Sequence, residues 1–264
     1  MPIPIYRFED LNTAFHLRFL WTGWPTVGTI FPHQPDESFF CQLDKAWKLD
    51  SLNRISTKWD AGKIQIAFST IPTVSPTFFV SRVKGRLQHA LRLVGTPAKF
   101  SRKVAFRGVG DNHTSDVERY IAQQVYSEPF VDPRFSSMLK QFTIVDETIK
   151  LDQPSESNSG RYWYNLHLVI VVANRARLRQ EDDFAKLDRS LVATAKKHLY
   201  QLAARAWMPD HLHVALRGNI AESPAEIALS FMNNTAYAMG QNAIWQRGFY
   251  VGTFSEYDVR ALLQ

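Results

Sequence analysis

The chain has 264 residues, 45% of them hydrophobic and 21% charged, with a formal net charge of +6 at pH 7. That length allows one large core or two ordinary ones, and the composition excludes a disordered or fibrous chain. The lone cysteine, Cys41, excludes an intramolecular disulfide and fits a reducing, cytoplasmic compartment. No apolar run is long enough to span a bilayer and no signal-peptide pattern opens the sequence.

In chain order, residues 15–22 (FHLRFLWT) read as an aromatic-rich strand, followed by a loop rich in Gly and Pro. Residues 36–50 have helical spacing, with Phe39, Leu43, Ala46 and Trp47 on one face. Residues 53–58 and 62–70 read as two strands. Ser75-Pro76 opens a helix, serine as cap and proline at the first position, which runs to about Leu93. The order strand, helix, strand, strand, helix predicts a small α+β sandwich with helices on one sheet face.

The charge is unevenly placed. Residues 1–124 hold 16 Lys/Arg against 10 Asp/Glu, and residues 125–264 hold 15 against 15. Within the first half, Arg82, Lys84, Arg86, Arg92, Lys99, Arg102, Lys103 and Arg107 follow one another with no acid between them. So one-signed a run points to a polyanionic partner. Thr114 or Ser115 can cap a helix with Glu118 nearby, a capping-box pattern if Ser115 is the cap. On it Tyr120 and Gln124 share a face, while Val117 and Ile121 pack.

Residues 125–160, with Pro129, Pro133 and the polar run 153–160, read as a linker ending in a flexible loop. A strand is expected at 161–172 and one long helix at 181–205, with Phe184, Leu187, Leu191, Ala195, Leu199 and Leu202 at helical spacing. A strand carrying His211 and His213 follows, then a helix from Ser223-Pro224 to about Met239. The start of a last helix is expected near the end, with Leu262 where Tyr120 stands in the first half and Tyr257 out of register.

The two halves repeat each other. Residues 59–76 (WDAGKIQIAFSTIPTVSP) align without a gap on residues 207–224 (WMPDHLHVALRGNIAESP): Trp59 on Trp207, Ala67 on Ala215, Ser75-Pro76 on Ser223-Pro224. Leu43-Asp44-Lys45 resembles Leu187-Asp188-Arg189, Phe100-Ser101-Arg102-Lys103 resembles Trp245-Gln246-Arg247-Gly248, and Phe15-His16-Leu17 resembles Tyr164-Asn165-Leu166. A repeat of this length is a whole domain. The expected organisation is therefore a tandem duplication: 1–124, a linker 125–160, and 161–264. In a strand, side chains alternate faces, so His211 and His213 point the same way while Leu212 enters the core. Two imidazoles on one face form half of a metal site. In the first copy Lys63 and Gln65 stand in their places.

Met208-Pro209-Asp210-His211-Leu212-His213, the Ser-Pro helix, the Trp-Gln-Arg-Gly-Phe-Tyr segment and Tyr120-Ile121-Ala122-Gln123-Gln124 together resemble the HUH-type single-strand tyrosine transposases of small bacterial insertion sequences and their domesticated, palindrome-associated relatives. The resemblance implies ferredoxin-like subunits that pair with shared sites, the histidines from one subunit and the tyrosine helix from the other. It also implies magnesium or manganese as the metal, although two histidines and an amide would also hold zinc. By that resemblance Tyr120 is the nucleophile, His211, His213 and Gln124 hold the metal, and Asp210 orients His211. The partner would be single-stranded DNA with a hairpin, cut through a 5′-phosphotyrosine. The losses here are complementary: the first copy keeps the tyrosine helix without histidines, the second the histidines without the tyrosine. The expectation is a monomeric fused pseudo-dimer, its copies related by a pseudo-two-fold, with one composite site. The alternative is a hairpin DNA- or RNA-binding protein of the same fold without catalysis.

Overall fold

A computed structural model describes residues 4–127, 130, 132–240 and 243–256. The expectations for Tyr257 and Leu262 lie outside the described residues. The first half contains β1 (Ala14–His16), β2 (Arg18–Pro25), α1 (Glu37–Leu49), β3 (Leu52–Trp59), β4 (Ile64–Thr70), α2 (Pro76–Leu93), β5 (Phe100–Val109) and α3 (Thr114–Ser127). There follow α4 (Pro133–Gln141), β6 (Thr143–Val145), β7 (Ser155–Ser157) and β8 (Gly160–Trp163). The second half continues with β9 (Asn165–Val172), α5 (Glu181–His198), β10 (Gln201–Trp207), β11 (His211–Arg217), α6 (Pro224–Ala238) and β12 (Trp245–Thr253).

The architecture is α+β, with two six-stranded sheets ordered β3-β4-β2-β5-β8-β7 and β1-β12-β9-β11-β10-β6. Inside each lies one βαββαβ unit with its first and third strands central, which is the ferredoxin-like order. Short local signals start the helices. Ser75 accepts from the Phe78 amide at the head of α2, and Ser223 with Glu226 forms a full capping box at the head of α6. Each unit also pins its first helix to its second strand with a two-pronged ion pair. Arg54 grips Asp44 at 2.9 Å through both nitrogens, and Arg205 grips Asp188 at 2.7 and 3.1 Å; such forks fix geometry as well as charge. Aromatic edges fill the first core, where Phe79 meets Phe19, Phe68 and Phe106. The second mixes aliphatic and aromatic side chains, with Leu187 and Leu191 of α5 and Ile227 of α6 buried together with Leu212, Val214, Trp207 and Trp245.

The units exchange edge strands. β1 pairs in parallel with β12, and β8 pairs in parallel with β5. The chain therefore leaves one sheet and enters the other at a single buried residue, Leu17 between β1 and β2 and Tyr164 between β8 and β9. The register sets Leu17 where Tyr164 stands, not Tyr164 opposite Phe15 as the sequence match suggests. Three further expectations change. The helix foreseen over 181–205 stops at His198, because Leu199 turns left-handed (φ 62°) and 201–207 become β10. Leu199 and Leu202 thus leave the helical stripe. Residues 125–160 hold the end of α3, α4 and two short strands, beyond a plain linker. At α3 the helix begins at Thr114 itself, with the His113 carbonyl accepting from Asp116 and Val117, so neither Thr114 nor Ser115 serves as the cap. Among the described residues no helix is long and apolar enough to cross a membrane.

Two glycines test this layout with opposite signs. Gly160 has φ +148° and its Cβ would strike the Val104 carbonyl across the β5–β8 pair, so Gly160→Ala is expected to destabilise by about 2 kcal/mol or more. Gly85 sits inside α2 with nothing within 4 Å of its would-be Cβ, so Gly85→Ala is expected to stabilise by about 0.5–1 kcal/mol. Urea midpoints read both; a neutral Gly160→Ala would mean that β8 does not pair as described.

Candidate functional site

The site forms where α3 of the first half crosses the open face of the second sheet. In β11, Leu212, Val214 and Leu216 point into the core and are fully buried, which turns His211 and His213 to the opposite face. That face is low over β10 and β11, because Ala203, Ala204, Ala206 and Ala215 line it. Val117 and Ile121 of α3 bury against those methyl groups with Phe254. The packing turns the neighbouring flank of α3 to the histidines. The Tyr120 ring stands edge-on to the His213 ring, centroids 5.4 Å apart at 88°, and 6.1 Å from that of His167. Tyr120 is half exposed.

The two histidines of β11 lie with ring centroids 4.8 Å apart and planes at 82°. Each has its Nδ1 engaged. Asp210 Oδ1 is 2.7 Å from His211 Nδ1, and its other oxygen accepts from Arg175 at 3.0 Å. Burial works to raise the Asp210 pKa, but the hydrogen bonds from His211 and Arg175 outweigh it and hold the carboxyl below its ordinary value. His213 Nδ1 is 3.1 Å from Nε2 of His167 in β9. Burial, then the neighbouring His167 and His211, pull the His213 pKa down to about 3; burial pulls His167 to about 4. Both rings are therefore neutral at pH 7, the state in which an imidazole can be a ligand.

Of the residues singled out from sequence, Tyr120, His211, His213 and Asp210 come together here. Gln124 lies one turn on along α3, its amide nitrogen donating to the Tyr120 carbonyl at 3.3 Å, which leaves its oxygen, the harder donor. Among the described residues no three His, Cys, Asp or Glu side chains cluster as a metal group. The groups there that could face a cation are the imidazoles of His211 and His213, with the Gln124 amide one turn along α3 from Tyr120. Two neighbours complete the surroundings: His167, which did not stand out in the sequence, and Tyr250, which closes the Trp-Gln-Arg-Gly-Phe-Tyr segment. Tyr250 stands edge-on to His167, centroids 6.0 Å apart. The signal for His167 is a single histidine in the apolar strand NLHLVIVV, on the outward parity of the alternation.

The basic run does not form one surface. Arg82 and Arg86 turn to Asp50, at 3.7 and 3.0 Å, and Lys84 donates to the Ser101 carbonyl at 2.7 Å. Arg107 lies on the other face of the first sheet, stacked 3.8 Å over Trp163. Arg92, Lys99, Arg102 and Lys103 are all exposed. Lys63 and Gln65 occupy the places of the histidines in the first sheet, where Gln65 donates to Thr22 at 3.3 Å.

The buried imidazoles set a pH dependence for the protein in chelator. Their folded pKa values, about 3 and about 4, lie below the unfolded value of about 6.5. The unfolded chain then binds more protons in that window, so stability is full above about pH 6.5 and falls as the pH drops towards the folded values. The melting temperature is expected to decline from pH 7 to pH 4 in wild type and less steeply in His213→Leu. Superimposable profiles would show that these rings do not titrate as buried groups.

Residues 161–264 match the family model described as Transposase IS200 like. No curated protein matches the chain. Among solved structures, a candidate transposase from Deinococcus radiodurans is 20% identical over 38% of this chain and 85% of its own, with a TM-score of 0.32. The regulatory subunit of aspartate kinase from Thermus thermophilus is 9% identical over 84% of this chain and 93% of its own, with a TM-score of 0.21. The matched residues carry the paired histidines on the third strand of the second βαββαβ unit.

Proposed function

We propose that this protein cleaves and rejoins single-stranded DNA at hairpin-flanked sites through a 5′-phosphotyrosine link, in one composite site assembled from two fused, diverged transposase-like copies. The observation that carries this reading is the edge contact between Tyr120 of the first half and His213 of the second. It sets the proposed nucleophile against the histidine pair of β11. The matching unit topology and the reciprocal strand exchange support a duplication whose copies pack as two subunits related by a pseudo-two-fold.

The donor set fits a divalent cation. His211 and His213, each with its Nδ1 engaged, can offer Nε2, and Gln124 can offer an amide oxygen, a mixed set that magnesium or manganese accepts together with phosphate oxygens. When bound, such an ion polarises the scissile phosphate and holds it for in-line attack. The residues of the chain do the rest. Asp210 and Arg175 hold His211 in place. Tyr120 Oη forms a bond to phosphorus while the bond to the 3′ oxygen breaks, and the phenolic proton is balanced by the proton gained at the departing 3′-hydroxyl. The reverse attack by a 3′-hydroxyl restores the strand and frees the tyrosine, so the link conserves the energy of the broken ester. Lys99, Arg102 and Lys103 give the DNA backbone a cationic approach.

Incubation with single-stranded hairpin DNA and Mn2+ is expected to give a covalent adduct that survives denaturing electrophoresis. Tyr120→Phe should abolish it and Tyr126→Phe, on the exposed side of the same helix, should leave it intact. His211→Ala or His213→Ala should slow it by about 100-fold or more. Tight hairpin binding with no adduct from wild type would favour the binding-only alternative. Affinity itself should fall steeply with salt. Arg102→Ala with Lys103→Ala should weaken it across sequences and lower the salt slope by about 1 for each phosphate no longer neutralised.

A further inference from the structure

The third histidine of the site has no role in the reading above. His167 lies on β9 beside β11, diagonal to His213, whose direct cross-strand neighbour is Val169. Its ring stacks on that of His213 with centroids 5.3 Å apart and planes at 22°, and the close polar approach between them is Nε2 of His167 to Nδ1 of His213 at 3.1 Å. Only one proton can sit between those nitrogens. If His167 keeps it, His213 carries its own proton on Nε2 and has no lone pair to offer outward. If His213 supplies it, Nε2 of His213 is a free donor.

We propose that His167 is a positioning residue that accepts the Nδ1 proton of His213 and so presents His213 Nε2 as a lone pair to a divalent cation. The inference rests on the metal-dependent reading of the site. Asp210 does the same for His211, where the ring is near the surface and a carboxylate, itself held by Arg175, can stay charged. Next to His213 the site is closed, and an unpaired carboxylate there would lose its hydration without a cation to replace it. A neutral imidazole accepts the same proton with no charge to desolvate.

The molecule supplies its own comparison. In the second sheet Ala215 pairs with His167; in the first, Ala67 pairs with Leu20. Leu20 therefore stands at the place of His167 in the unit where Lys63 and Gln65 replace the paired histidines. Gln65 there turns to Thr22. The half with paired histidines has the third, and the half without them has an apolar side chain. A histidine serving only to fill that sheet position would have no reason to follow the pair.

The test uses the full chain, with Mn2+ as the probe, and two variants: His167→Leu, which copies the first unit, and His167→Gln, which keeps an acceptor. In metal-free wild type, nitrogen-15 NMR of the histidine rings should show His213 protonated at Nδ1, and His167→Leu should move that proton to Nε2. Mn2+ affinity, read by EPR of the free ion, should fall about 10–100-fold in His167→Leu and recover most of that loss in His167→Gln, with both variants melting cooperatively. His213 found with its proton on Nε2 in wild type overturns the proposal whatever the metal result. So does His167→Leu binding Mn2+ within about twofold of wild type while His213→Ala does not bind it; the metal site would then stand and only the role of His167 would fall. Wild type that binds no Mn2+ would instead remove the reading beneath it, and the proposal with it. If His167→Leu does not fold, His167→Gln with the proton moved to Nε2 and Mn2+ no longer bound also overturns the proposal.

Discussion

The site depends on where the chain crosses between the sheets. At Leu17 and again at Tyr164 the first strand of a unit is cut in two, the leading piece hydrogen-bonded to one sheet and the trailing piece to the other. Both crossing residues are buried, and Tyr164 reaches the Glu222 carbonyl at 3.1 Å. The seam beside them is tight. Thr253 Oγ1 donates to the Val109 carbonyl and accepts from the Arg18 amide at 3.0 Å, and a side chain at Gly110 would collide with the Thr253 carbonyl. Strand ends this close leave little freedom between the units. Because α3 follows β5 by a few residues, fixing that seam also fixes α3 on the second sheet.

Once α3 is held there, small residues decide how near Tyr120 comes. Four alanines under Val117 and Ile121 let the helix settle low on the sheet, and a bulky residue at any of them would lift the phenol from the imidazoles. Burial of His167 and His213 then has an electrostatic consequence. Neither ring gains a proton at neutral pH, so neither repels a cation, and their hydrogen bond is between neutral groups. The surroundings of His211 differ. It sits between Asp210 and solvent, with a carboxylate rather than an imidazole at its Nδ1. Under the proposed reading the two histidines reach the same end by different means, set by depth.

Much of the fold is legible in the residues themselves. The two Trp-to-Ser-Pro stretches mark matching hairpins, with Trp59 and Trp207 closing β3 and β10 at the same register before the third strand. Serine followed by proline starts α2 and α6 as local capping chemistry demands. Alternation in HLHVALR shows which way His211 and His213 face. The helix expected over 181–205 runs too long because Leu199 and Leu202 continue its spacing, while its end is set by one left-handed residue that is not glycine. Strand exchange leaves no local trace: β1 and β12 lie at opposite ends of the chain and pair in parallel, so neither a turn residue nor a spacing announces them. The basic run shows the limit of counting charge. Its members are divided between α2, the loop after it and β5, and Asp50, far upstream, pairs with two of them. His167 is visible as an outward-facing position, but a single histidine in a strand acquires meaning only when the neighbouring strand is known.

The division of labour between the halves has a physical corollary. A nucleophile and its metal ligands on one unit could both survive if the seam between units loosened. Here Tyr120 and His213 are held together by the packing of α3 on β6, β10 and β11 and by the exchanged strands, so their contact depends on that interface staying closed. The same arrangement explains how two units of like topology can carry Lys63, Gln65 and Leu20 in one and His211, His213 and His167 in the other. The outward face of each sheet is free of the core packing that fixes the inward face. Residues there can differ between the two units while packed cores persist beneath them.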